Sequence, residues 1–288
     1  MLDLFALDFV RSALFVSVTM GLLLSYLGVH VVGRGIVFVD LALGQISMLG
    51  VAFAAFIEQD PFIISIAFTM IGAFLLSLIK VTDPRLKPEA VIGIIYAVTS
   101  ALTVLLISKS AHGESDISEV LFGSLFTVTN MEFGRMALVF GLLGLLHIVF
   151  RKKFFEITRK FQGKEVEDLG VFNLWNFLFY LSIGLAIVLA VRAGGVIPVF
   201  SFLVVPPVAA ILVTRRTTGL VIVALLLSVV GSFFGVYFSV QFDFPAGASI
   251  VSILGVIFLA AAAVRLVGSL RGTQPPQPRA EGEGGLSS

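Results

Sequence analysis

Few residues in this chain have types and spacing that could do chemistry, and the first is an acid in a costly place. Asp40 lies within the apolar stretch from Ile36 to Gly50, and a carboxylate at the centre of a membrane-spanning helix costs about 2.5–3.5 kcal/mol on the insertion scale. At the i, i+4 and i+7 spacing of a helix, Asp40, Gly44 and Ser47 share one face, with Gln45 beside them. That face is polar and thinly covered, which makes it a candidate lining for a path across a bilayer. Asp40 is then the best candidate to meet a cation. The plainer reading places Asp40 near a helix end, hydrated or paired with Arg34.

The second pattern is a run of prolines. Pro198, Pro206 and Pro207 fall in the apolar stretch Gly195–Ala210, followed by Arg215-Arg216-Thr217-Thr218-Gly219. Each proline removes a backbone donor, so the spacing predicts a helix that is kinked or interrupted and re-satisfied by its neighbours. A static kink and a moving one are both consistent with the pattern.

Much chemistry is absent. No Gly-x4-Gly-Lys-Ser/Thr loop is present, the nearest text being Gly163-Lys164-Glu165, so the chain is not expected to bind and split ATP through such a loop. There is no His-Glu-x-x-His and no Gly-x-Ser-x-Gly, and His30, His112 and His147 look scattered over different spans and loops. The absence of cysteine excludes disulfides and thiolate sites. With Asp40 essentially the one carboxylate inside the apolar stretches, a self-powered, ion-coupled carrier lacks the groups that do the coupling.

The elements that must position these residues are apolar helices. The 288 residues are 58% hydrophobic and 13% charged, about half the charge of a soluble domain, and the net charge of +1 gives no nucleic-acid signal. A span needs roughly 20 apolar residues. Such stretches recur near 9–31, 36–57, 61–80, 90–108, 131–150, 173–192, 195–214, 218–240 and 246–267. The expected fold class is all-α, a polytopic helical bundle of about eight to nine spans over residues 1–270. Residues 271–288, with Pro275, Pro276, Pro278 and a Gly/Glu-rich finish, read as a disordered tail.

Lys and Arg gather on the cytoplasmic side of short loops. Arg151, Lys152, Lys153, Arg159, Lys160 and Lys164 mark one loop as cytoplasmic. Counting outward places Arg34, Lys80/Arg85/Lys87, Arg215/Arg216 and the C-terminus on that side, and the acidic N-terminus, Glu58/Asp60 and Glu114/Asp116/Glu119 outside. The basic loop reads first as a topology signal, with contact to a cytoplasmic partner or anionic lipid as the secondary role. The acidic segment 114–125 is a solvated loop or a docking surface. Gly231, Gly235 and Ser239 form a small-xxx-small face that would serve packing within the chain as well as between copies.

Taken in order, these pieces resemble the permease subunits of the ABC importers for zinc, manganese and iron, the ABC-3 family. The matching text is Gly33-Arg34 with the Phe38–Gly50 span, Val91-Ile92-Gly93-Ile94-Ile95, Leu121-Phe122-Gly123-Ser124-Leu125, the Gly195–Ala210 segment with its Leu-Val-Val-Pro-Pro, and Asp243-Phe244-Pro245-Ala246-Gly247. The resemblance covers about residues 9–268. It implies two permease copies (a homodimer or a pair with a related chain), two cytoplasmic ATPases that hydrolyse the ATP, and an external metal-capturing binding protein. It also implies that Pro206, Pro207, Arg215 and Arg216 couple to the ATPase, and that this chain itself binds no cofactor. In one place the chain departs from the family pattern of aspartate followed four residues later by histidine. Here the aspartate position falls on Leu41 and the histidine position on Gln45, with Asp40 one place earlier, and an amide is a poor zinc ligand.

The expected function is therefore the inner-membrane permease of an ABC importer moving a divalent metal, with the N-terminus outside and the C-terminus inside, in contact with lipid but not nucleic acid. The alternative is a secondary transporter or channel working without ATPase partners. A membrane scaffold or a permease for an organic chelate is a third.

Overall fold

The computed structural model describes residues 7–79, 81, 85–108, 125–163 and 172–272. Among them are ten helices and no strand. They are α1 (Asp8–Arg34), α2 (Val39–Phe56), α3 (Pro61–Leu78), α4 (Pro88–Ile107), α5 (Asn130–Val149), α6 (Arg151–Gln162), α7 (Leu174–Gly194), α8 (Val196–Val213), α9 (Thr217–Phe242) and α10 (Ala246–Gly272). All but α6 are long and apolar enough to cross a membrane, at the positions hydropathy predicts.

Local sequence sets many of the boundaries. α1 ends in a Schellman motif: Gly35 takes a left-handed φ of 66°, its N–H donates to Val32, and Ile36 N–H reaches back to Val31. Glycine has no Cβ to oppose that conformation, and the turn sends the chain directly into α2. α3 begins at Pro61 with Asp60 Oδ1 accepting from Phe62 N at 2.7 Å. α5 opens with a capping box between Thr129 and Glu132.

The burial pattern is that of a protein solvated by lipid. Large apolar side chains on the outer helices face outward, with Leu105 of α4 64% exposed and Leu259 of α10 66%. Ser17, Ser25, His30, Asp40 and Asn176 are inside. Water would penalise such an outer surface, whereas hydrocarbon rewards it. α1 runs through the middle, packed against α5, α6, α7, α8 and α9. α2 packs on α3, α4 and α7, and α8, α9 and α10 contact one another.

The small residues are the close-packing points. A methyl group on Gly50 of α2 would come within 2.8 Å of Ser65 Cα on α3, and one on Gly235 of α9 within 2.5 Å of Ile250 Cα on α10. Gly231 likewise abuts Leu254, and Ser239 Oγ donates to the Phe244 carbonyl at 2.6 Å. The small-xxx-small face of α9 is thus used within the chain, against α10.

Two expectations change. Residues 151–162 form a helix, not a loop: α6 buries Phe154, Ile157 and Thr158 against α1 and α7 and turns its basic residues outward. α10 runs to Gly272, so residues 271 and 272 are helical, and the rest of the expected tail lies outside the described residues. The acidic segment 114–124 and His112 also lie outside them.

Candidate functional site

The polar face of α2 starts in the first turn of the helix: Asp40 is its second residue, near the helix end and not at the centre of the span. Asp40 is 3% exposed and its Oδ1 has no hydrogen-bond partner among the described residues. It does not pair with Arg34, whose guanidinium is directed elsewhere. Gly44 is buried and faces α7, where an added methyl would just reach Ile187 at 4.0 Å. Gln45 and Ser47 are half-buried. The i, i+4 spacing thus carries Asp40 and Gly44 inward, while Ser47 stays partly open. Among the described residues no group of three or more His, Asp or Glu stands close enough to hold a metal ion.

The proline segment forms one continuous helix, α8, with Pro206 and Pro207 inside it and buried. In an α-helix those two positions would donate to the carbonyls of Phe202 and Leu203, and proline leaves both carbonyls without an intrahelical donor. α1 supplies a donor for the first and close packing for the second. Ser25 Oγ donates to the Phe202 carbonyl at 3.0 Å, in a buried contact. Leu203 turns its carbonyl onto Gly28, where the backbones approach so closely that a Cβ on residue 28 would overlap the oxygen and sit 2.9 Å from Pro207 Cγ. In the bilayer interior, freed backbone groups are tolerated only with such neighbours. The helix is re-satisfied at Phe202 and closely packed at Leu203, and it is not interrupted.

Arg215 and Arg216 are exposed on the short link between α8 and α9. The structure therefore separates the four residues assigned to coupling: the prolines lie within the α1–α8 contact, and the arginines about two turns further on, at the surface.

A third cluster is missed by sequence reasoning. Tyr26, His30 and Arg34, at i, i+4 and i+8 on α1, meet His147 of α5, Thr158 of α6 and Asn176 of α7. His30 Nδ1 lies 2.8 Å from Thr158 Oγ1 and Nε2 lies 3.3 Å from Tyr26 Oη. Arg34 donates to Asn176 Oδ1 at 2.9 Å and stacks on Phe179 at 3.6 Å, and Asn176 Nδ2 donates onward to the Ser77 carbonyl. The His30 and His147 rings are 6.2 Å apart, and His147 stacks on Phe154 at 3.8 Å. The two histidines are thus neighbours, not scattered. The helical spacing of Tyr26, His30 and Arg34 was the available signal. With a guanidinium held among them the cluster repels cations, and its hydrogen bonds tie α1 to α6 and α7.

The chain is 28% identical over 254 residues to the manganese transport system membrane protein MntC of Listeria innocua, covering 88% of this chain and 89% of that one. It is 25% identical over 253 residues to the manganese import system permease protein ScaB of Streptococcus gordonii, covering 87% and 89%. Among solved structures, PsaBC from Streptococcus pneumoniae in complex with Fab superposes with a TM-score of 0.74 at 24% identity, over 91% of this chain and 95% of that one. An inward-facing metal-chelate type ABC transporter superposes with a TM-score of 0.64 at 18% identity, over 88% and 85%. At these identities the two structures establish the shared fold. The sequence profile of the ABC 3 transport family matches residues 6–265, nearly the whole chain and all but the last turns of the nine-span bundle, and the protein belongs to that family.

Proposed function

We propose that this chain is the permease subunit of an ABC importer that moves a divalent metal ion, manganese or iron before zinc, into the cytoplasm. One observation carries the reading: a family match over residues 6–265 on a nine-span bundle whose sequence lacks a nucleotide-binding loop. Relatives named for manganese transport support the choice of ion, as does Gln45 at the position where a zinc-suited imidazole would stand.

The permease works with cytoplasmic ATPases that bind and split ATP, with an external solute-binding protein, and with a second permease copy or a related chain. It sits in the inner membrane with its N-terminus outside, so that α6 and the α8–α9 link face the cytoplasm, in keeping with their arginines and lysines. Asp40, Gly44, Gln45 and Ser47 line the path, and Asp40 is the group that meets the ion. A single carboxylate without a full ligand set suits cargo, because conduction requires binding weak enough to release. Arg215 and Arg216 take the push of the ATPase, and Pro206-Pro207 carry it into the bundle. The chain itself catalyses no covalent step.

The test is uptake into proteoliposomes holding the permease, its ATPase and its binding protein, scanning manganese, iron and zinc with and without ATP. ATP-dependent uptake of one ion supports the reading. Flux that ignores ATP overturns it in favour of a channel or carrier.

A further inference from the structure

A groove of about 1080 Å³ opens between α1, α5, α6 and α9. It contains none of the residues assigned to the path, and its volume is at or above the about 300–1,000 Å³ of a small-molecule pocket. Its walls are apolar, with Leu22 and Leu23 from α1, Phe140 from α5 and Ile222 and Leu225 from α9. Its charged residues gather at one end, with Thr19 and Tyr26 the polar groups further along α1. Along α6, Arg151, Phe155, Arg159 and Gln162 form a single stripe facing the groove, with Lys152 beside it.

The depth matches one leaflet. On α1 the lining runs from Gly33 back to Thr19, 14 residues or about 21 Å at the helical rise, and on α5 from Ile148 to Ala137, about 16 Å. Half of a hydrocarbon core is about 15 Å. The groove therefore starts at the interface, beside α6, and ends near the bilayer midplane.

Among the described residues the charge at its mouth is net positive, three cations against one acid. Arg151, Lys152 and Arg159 have no ion-pair partner among the described residues, and Glu156, the one acid lining the groove, is engaged by Lys153 at 3.5 Å. Three free cations above an apolar channel one leaflet deep match a molecule with an anionic head and a hydrocarbon tail. They do not suit a metal ion, which they would repel, or a second apolar helix, which would bury them unpaired.

We propose that this groove is a binding site for one anionic phospholipid of the leaflet on which α6 lies, with the phosphate held by Arg151, Lys152 and Arg159 and an acyl chain laid along α5. Two glycines on α5 make the room. Gly141 and Gly144 both line the groove, and a Cβ at either meets nothing within 4 Å. A larger side chain there fills the groove without disturbing the packing behind it. The site does not depend on which ion is carried, and its test does not read transport.

The full chain is embedded in nanodiscs of equal phosphatidylglycerol and phosphatidylethanolamine and examined by native mass spectrometry after release. The expected result is one retained phosphatidylglycerol per chain, on the order of tenfold preferred over phosphatidylethanolamine. R151Q/K152Q/R159Q brings the two headgroups to parity. G141L/G144L loses the retained lipid of either kind, with its thermal midpoint unchanged. Equal retention of both headgroups by the wild type overturns the proposal, as does an unchanged lipid count in the glycine variant. So does a glycine variant that turns a dimer into a monomer while keeping its lipid, since the groove would then be an interface between copies.

Discussion

Replacing Gly28 with alanine tests the α1–α8 contact where it is tightest. The new Cβ would overlap the Leu203 carbonyl oxygen and lie 2.8 Å from its carbon and 2.9 Å from Pro207 Cγ. Normal carbon–carbon contact is about 3.5 Å, so the helices must part by at least about 0.7 Å, and by more to clear the carbonyl oxygen. Neither obstacle is a flexible side-chain tip, and such overpacking costs about 1–3 kcal/mol. The same displacement stretches the Ser25–Phe202 bond from 3.0 Å to about 3.7 Å or more, beyond hydrogen bonding. The Phe202 carbonyl has no donor in its own helix, so about 0.6–1.7 kcal/mol more is lost. Alanine returns about 0.8–1 kcal/mol in helix propensity. The net expectation is a loss of about 1–4 kcal/mol. Gly134→Ala is the control, because its Cβ meets nothing within 4 Å and only the propensity gain remains. Unfolding from mixed micelles, followed by the fluorescence of the single tryptophan, Trp175, measures both. If G28A matches the wild type, or if both glycine variants shift the same way, the reading of this contact is wrong.

Asp40→Ala is expected to abolish most ATP-dependent uptake with at most a small drop in thermal midpoint, because Oδ1 has no hydrogen bond to lose and the carboxylate's other contacts are to backbone N–H groups of its own first turn; unchanged uptake by the stably inserted protein removes Asp40 from the path. Asn176→Leu leaves the buried Arg34 without its amide partner and should cost about 3 kcal/mol in the same unfolding assay, whereas Asn176→Gln should cost less. On α9, Gly235→Ala meets the Ile250 backbone and Gly231→Ala only the end of the Leu254 side chain, so the first should destabilise more than the second by at least about 1 kcal/mol. Asp60→Ala removes the cap of α3 and should cost about 1 kcal/mol.

The nine spans among the described residues were legible, if not their exact number, because hydrocarbon thickness imposes one length on every crossing helix, and runs such as Pro61–Leu78 or Ala246–Val267 meet it. α6 was not, because it does not cross. Its charged residues outnumber its apolar ones, and only burial against α1 and α7 makes Phe154 and Ile157 into a face. The prolines announced two lost hydrogen bonds but not who replaces them, since the donor, Ser25, stands 177 residues away. The pairing of His30 with His147 was hidden for the same reason: each looks isolated in its own span, and only the crossing of α1 and α5 brings them to 6.2 Å. For the polar face of α2, helical spacing puts Asp40 and Gly44 on one side, which the structure buries, whereas the partial exposure of Ser47 depends on which neighbours arrive.

The bond from Ser25 to Phe202 also constrains how the protein is built. At about 5–20 residues per second, the 177 residues between donor and acceptor take roughly 10–35 s to synthesise. Throughout that interval α1 is already in the bilayer, its serine hydroxyl able to fall back on a carbonyl of its own helix. α8 has no such reserve: it leaves the ribosome with two carbonyls that nothing in its own sequence can satisfy. The first helix made thus serves as a template that waits for the eighth, and a nascent chain stalled before α8 docks would expose the defect to lipid.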